Sequence, residues 1–363
     1  MGSTGTKRRS RPLRQERADA LLFVTSRTVE ERFWLHPLVS AGAKPANRKA
    51  RRALRGLDRM CSRRFERMAK HANARRKPHS PEWTADDIRR LCRSAVGDAL
   101  RRAQDNNDVE IFAVVVMSNH IHLVIRTPQC NCADFLRDFK SIASKNINRL
   151  HGREGPLWAR RADVQPILDD SAGAGRVAYT IRNPEKARLV TDPEQWPGLS
   201  LCFGLGDADE VTFEFFDFAA WHSARRPKDK DRFFKSKPLK LSPLPAMQGV
   251  DREAYAADVR AWIAKQILED EQEHGDACGP RRAKDVLGVE AVIKAAFHQR
   301  PKHPKRSPRP HCFGSPENRR AHYEQTNLTV AAYDEASEKY RAGDPTAKFP
   351  VGTYPPPLIR AAA

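Results

Sequence analysis

The sequence predicts a mixed α+β fold, a ferredoxin-like βαββαβ antiparallel sheet backed by helices, and three observations lead there. Apolar, β-rich runs occur at 20–27, 109–117, 120–127 and 163–169. Stretches of helical period separate the first from the second and the third from the fourth. Only the polar pair Ser118-Asn119 divides the middle two runs, which fits a hairpin and leaves no room for a crossover. Strand, helix, strand, strand, helix, strand is the split βαβ order, here with one more helix appended.

Taken along the chain, residues 1–19 form a basic tail expected to be disordered, and 20–204 the main domain. ALLFVTSR at 20–27 is the first strand. An insertion at 37–80 follows, and between Lys44 and Lys77 it carries fourteen Lys or Arg against two acidic residues. Leu54, Leu57, Cys61, Phe65 and Met68 recur there every three or four positions, predicting an amphipathic helix with a basic outer face. Arg51, Arg52, Arg55, Arg63 and Arg64 are its candidate phosphate contacts, because like charges at this density repel unless phosphates or acids offset them. A merely solvated face is the other reading. Thr84, with Asp87 three positions on, resembles a capping box, and Ile88, Leu91, Cys92, Ala95, Val96, Ala99 and Leu100 supply the buried stripe of the helix it opens. The runs on either side of Ser118-Asn119 are nearly unbroken in apolar character, so they belong at the centre of the sheet under a helical cover. A helix over 132–150, a turn at 152–156, the short strand DVQPILD at 163–169 and a helix over 174–182 complete the domain.

Residues 205–363 read as a small, partly helical extension with basic, Pro-rich linkers. It holds a β-like VTFEFFDF, a helix with Tyr255, Val259, Trp262, Ile263 and Ile267 on one face, and the Pro-rich 300–310 and 355–357, which suit extended arms.

Composition narrows the partners. The 363 residues carry 65 Lys and Arg against 45 Asp and Glu, a formal charge of +20, which points to a polyanion and first of all to nucleic acid. No apolar run of about 18 residues suits a membrane span. The basic start lacks the apolar stretch of a secretory signal, so a cytoplasmic, nucleoid-associated protein is expected. Seven scattered cysteines without a repeated C-x-x-C suggest reduced thiols, with Cys130 and Cys132 a remote metal alternative.

The chemistry concentrates in His120-Ile121-His122. Strand side chains alternate faces, so both imidazoles project from one side with Cα atoms roughly 7 Å apart, a spacing at which two neutral rings can share a divalent metal. Two histidines on a strand otherwise built of Val and Ile are a local cost that asks for a reason. Of the six tyrosines only Tyr179 precedes residue 250, and in VAYTIRNPEKARLV it stands four positions before Asn183, which places hydroxyl and carboxamide on one helical face with Pro184 ending the helix behind them. A half-buried aromatic is the structural alternative for Tyr179, and a helix C-cap the alternative for Asn183.

Across roughly 20–200 these residues resemble the one-tyrosine HUH transposases, and among them the REP-associated tyrosine transposases. VVVMSNHIHLVIRTP resembles the family's histidine strand, GPLWARR its Gly-x-Leu-Trp segment with a following Arg, and YTIRNPEKARLV its tyrosine helix. The resemblance implies a metal-dependent enzyme that nicks and rejoins single-stranded, hairpin-bearing DNA through a covalent 5′-phosphotyrosine, as in transposition of short repeats. It implies His120 and His122 as ligands of Mg²⁺ or Mn²⁺, Asn183 as a third ligand, Tyr179 as nucleophile, and Arg161, with Arg160 beside it, on the DNA backbone. Family members act as monomers or as homodimers that exchange tyrosine helices, and both remain open here. Ser118 stands where the family usually has proline, the insertion is longer than the pattern expects, and nothing after 205 has a counterpart. A domesticated DNA- or RNA-binding protein that keeps the fold without the reaction is the alternative, and a phosphodiesterase using metal-bound water is a third reading.

Overall fold

The computed structural model describes residues 13–29, 84–151, 154–187, 189–190, 192–196, 198–206, 209–274 and 311–356, with isolated positions at 35, 66, 69, 70 and 73. The basic helix expected around 54–68, with Arg51, Arg52, Arg55, Arg63 and Arg64, lies outside the described residues except for Glu66.

Strands β1 (Ala20–Arg27), β2 (Glu110–Val116), β3 (His120–Thr127) and β4 (Asp163–Pro166) assemble in the order β4-β1-β3-β2, all antiparallel, as the split βαβ pattern requires. A fifth strand absent from the sequence reading, β5 (Ser200–Cys202), extends the sheet beyond β2. Its three residues are too few to show a period, and pairing with Ala113 to Val115 is what makes it a strand.

Helices α1 (Ala85–Asn107) and α2 (Cys132–His151) pack against each other. Ala99, Leu100 and Ala103 of α1 share one buried core with Phe135, Phe139, Ala143 and Ile147 of α2, residues spaced three or four apart as a single helical face demands. Ile121, Leu123 and Ile125 of β3 are fully buried in that core, whereas His120 and His122 alternate to the other side of the sheet.

That other side is crossed by α3 (Asp170–Ile181), which packs on β2 and β3. Asp169 starts α3 by accepting the Ala172 amide at 2.9 Å, which depresses its carboxyl below the ordinary range. The helix ends one turn before Pro184. Arg182 is its C-cap, and Asn183 and Pro184 open a short second helix, α4 (Asn183–Lys186). Pro184 therefore begins an element where the sequence reading has it end one, since its missing amide and fixed φ suit a first helical turn, and Asn183 is not the cap.

The extension packs on the domain. β6 (Glu210–Phe216) and β7 (Phe234–Lys240) form an antiparallel hairpin against α1, flanking α5 (Phe218–Ser223), and Phe213 and Leu239 enter the main core. Helix α6 (Arg252–His274) lies along α3, with Tyr255 and Val259 fully buried. Before α7 (Pro316–Arg341), Phe313 runs parallel beside Ile167 at the end of β4. Among the described residues no helix is long and apolar enough to cross a membrane. Cys130, Cys132, Cys202 and Cys312 are free thiols, and burial pushes Cys132 and Cys202 up to about 12.

Candidate active site

The β1–β3 register builds the floor of the site. Arg27 pairs with His120, Thr25 with His122 and Phe23 with Val124, so these side chains share the face that α3 crosses. Thr25 Oγ1 lies 3.0 Å from His122 Nδ1, and Asn119 Oδ1 lies 2.7 Å from His120 Nδ1. With each Nδ1 held by a neighbour, ring orientation is set and Nε2 is the nitrogen left for a ligand. The two imidazoles meet edge to face at 4.9 Å between centroids.

Burial is the largest cause that keeps both rings neutral. It lowers His120 to about 4, with Arg27 adding and a hydrogen bond with Asn183 opposing, and holds His122 well below 6.5, with His120, Arg27 and Arg176 adding. Neutral imidazole is the metal-binding form, so the lone pairs are ready at neutral pH. A pH dependence follows. Below 6.5 the unfolded chain takes up protons on both rings that the folded chain refuses, so stability falls as pH drops from 6.5 toward the folded value near 4. In chelator-treated protein, thermal melts across this range should show that decline, and the double variant His120→Gln/His122→Gln should flatten it. An unchanged slope in the double variant would mean that other groups carry the effect.

The elements bring Tyr179 and Asn183 to this pair. The half-buried Tyr179 ring stands edge-on to His122 and to Phe23, each at 5.8 Å between centroids, and Phe23 stacks on His122 at 5.3 Å. Asn183, 8% exposed, bonds to His120 from the start of α4. His120, His122, Tyr179 and Asn183 therefore form one cluster, two of them from β3 and two from the α3–α4 segment. Among the described residues no set of three His, Cys, Asp or Glu gathers anywhere. A metal here would rest on two imidazole nitrogens and one carboxamide, a donor set that leaves coordination positions for phosphate and water.

Helix α3 is braced from behind by α6. Gln266 Nε2 donates to the Gly175 carbonyl at 2.7 Å, and Asp270 pairs with Arg182 at 2.9 Å and Lys186 at 3.1 Å. Glu185 takes Arg182 from its other side at 3.0 Å.

Arg160 and Arg161 lie elsewhere. Both are exposed on the turn after Trp158 and line a cavity of about 530 Å³ between residues 13–22, β4 and α7, of which neither His120, His122, Tyr179 nor Asn183 forms a wall. Trp158 is half-buried, its indole N–H donating to the Lys140 carbonyl at 3.0 Å, a packing role more than an open platform. Sequence reading missed Thr25, Asn119 and Arg176. Arg176 precedes Tyr179 by three positions, a helical spacing that was available as a signal, whereas placing Thr25 on His122 needs the strand register.

Residues 85–170, spanning α1, β2, β3, α2 and β4, match the model of the family described as transposase IS200 like. A protein of Haemophilus influenzae (strain ATCC 51907 / DSM 11121 / KW20 / Rd), named as a REP-associated tyrosine transposase, is 27% identical over 110 residues, covering 27% of this chain and 62% of the relative. The chain thus spans less than two thirds of that relative's length. A solved structure of a REP-associated tyrosine transposase bound to a REP hairpin matches with a TM-score of 0.32 and 17% identity, over 53% of this chain and 82% of that one. Residues 85–170, with the histidine pair inside them, are thus similar to the IS200-like transposase family, and the relative of 27% identity is one named as a REP-associated tyrosine transposase.

Proposed function

We propose that this chain cleaves and rejoins single-stranded, hairpin-bearing DNA through a covalent 5′-phosphotyrosine on Tyr179. The observation that carries the reading is the meeting of one phenol, two neutral imidazoles and a carboxamide on one face of the sheet. His120, His122 and Asn183 would hold Mg²⁺ or Mn²⁺, which when bound supplies positive charge beside the phosphate oxygens.

In the first step the Tyr179 oxygen forms a bond to phosphorus, the phenol proton leaves to water, and the bond from phosphorus to the 3′ oxygen breaks, with that oxygen taking up a proton. The phosphotyrosine keeps the energy of the broken bond, so a later 3′-hydroxyl can reverse the attack and join strands without ATP. Phe23 and His122 fix the Tyr179 ring, and Thr25 and Asn119 fix the imidazoles, which limits the motion lost on reaching the attack geometry.

The test mixes wild-type protein, a single-stranded hairpin oligonucleotide and Mg²⁺ or Mn²⁺. The expected result is a protein–DNA adduct that survives denaturant and is lost with chelator. Salt-sensitive binding with no cut on any substrate would overturn the enzyme reading in favour of a non-catalytic DNA- or RNA-binding protein.

A further inference from the structure

Three cations surround the Tyr179 helix end, and two are neutralised. Lys186, with Nζ 5.5 Å from the Tyr179 ring centroid, pairs with Asp270, and Arg182 pairs with Glu185 and Asp270. Arg176 differs. Its guanidinium carbon sits 4.7 Å from the Tyr179 ring centroid and 4.2 Å from that of Phe313, with Phe23 at 5.8 Å. Burial makes its charge costly, yet among the described residues the guanidinium has no ion pair and no hydrogen bond.

A cation placed only to pack would be expected to find an acid, as Arg182 does. Aromatic faces instead hold the plane of Arg176 and leave its N–H edges unspent, the arrangement in which a guanidinium best receives a phosphate. Its charge also reaches His122, which places it at the same centre. Phe313, the far wall of the sandwich, is pinned to the end of β4: its amide donates to the Pro166 carbonyl at 2.8 Å, and its carbonyl accepts the Leu168 amide at 2.7 Å.

We propose that Arg176 is a catalytic residue that donates hydrogen bonds to a non-bridging oxygen of the scissile phosphate while Tyr179 attacks, and that Phe313 of the C-terminal segment is its positioning residue. This rests on the reaction proposed above. It gives the residues after 205 a task in the centre itself.

The full-length chain tests it by two routes. In single turnover with the hairpin oligonucleotide and Mg²⁺, Arg176→Ala should slow adduct formation about 10²- to 10³-fold, as loss of a charge-stabilising donor does. Arg176→Lys, which keeps charge without the fork, should recover part of that. Phe313→Leu should slow the reaction about tenfold in wild type and have no further effect in Arg176→Ala, a coupling that packing alone would not give. Separately, on the uncleaving Tyr179→Phe background, Arg176→Ala should reduce the slope of log affinity against log salt by about 0.7, one single-strand phosphate contact. An Arg176→Ala rate within about threefold of wild type, an unchanged salt slope, or additive effects of the two substitutions would each overturn the assignment. Should wild type form no adduct, the reaction fails on its own. The salt slope then still decides: its loss on Arg176→Ala supports the phosphate contact, and its persistence overturns it.

Discussion

On the proposed reaction, Tyr179→Phe should leave hairpin DNA bound but uncut, with adduct formation down by at least about 10⁴-fold, the scale on which removal of a nucleophile acts. The substitution deletes a single oxygen. The ring keeps its edge-to-face packing on His122 and Phe23 and its contact with Arg176. Among the described residues the Tyr179 hydroxyl has no hydrogen-bond partner to lose, so stability should stay within about 0.5 kcal/mol of wild type. Gel analysis under denaturant measures the adduct, and a filter or fluorescence titration measures binding. Cleavage that continues in Tyr179→Phe would sink the phosphotyrosine route and favour attack by metal-bound water.

Gly97→Leu should be the most damaging of the substitutions considered to the fold, at about 3 kcal/mol. Gly97 sits on α1 where the Phe213 ring of β6 lies against the helix, and a Cβ there would come within 2.2 Å of the ring. Phe213 is 6% exposed and packed in the main core, so it has little space into which to swing. Helix propensity alone favours replacing glycine by about 1 kcal/mol, so a loss of stability would be a signature of the close approach and not of the helix. Denaturant titration of Gly97→Leu and of Gly97→Ala/Phe213→Leu reads it, the smaller pair being expected to relieve part of the loss. A neutral Gly97→Leu would mean that the β6–β7 hairpin does not dock on α1.

Much of the main domain's architecture was legible because its signals are local. The alternation of β3 puts His120 and His122 on one face whatever lies opposite, and the four-residue interval does the same for Tyr179 and Asn183. Neither periodicity says that those two faces meet. Misreading Pro184 as a stop came from the same locality, since proline suits the first turn of a helix as well as the position after one, and only the path of the chain distinguishes them. Hydrophobic stripes in α1 and α2 likewise announced burial without naming what would cover them.

The amino-acid order by itself determined the element types of the βαββαβ unit, the sheet order expected of it, the placing of the two imidazoles on one face and a charge suited to DNA. Tertiary structure alone decided that α3 crosses the histidine face, that α6 braces it through Gln266 and Asp270, and that Phe313 stands against Arg176 although 137 positions later in the chain. The reason is physical: backbone periodicity acts over a few residues and is written in the local sequence, whereas contacts between distant segments depend on which buried surfaces fit once the chain has closed its loops.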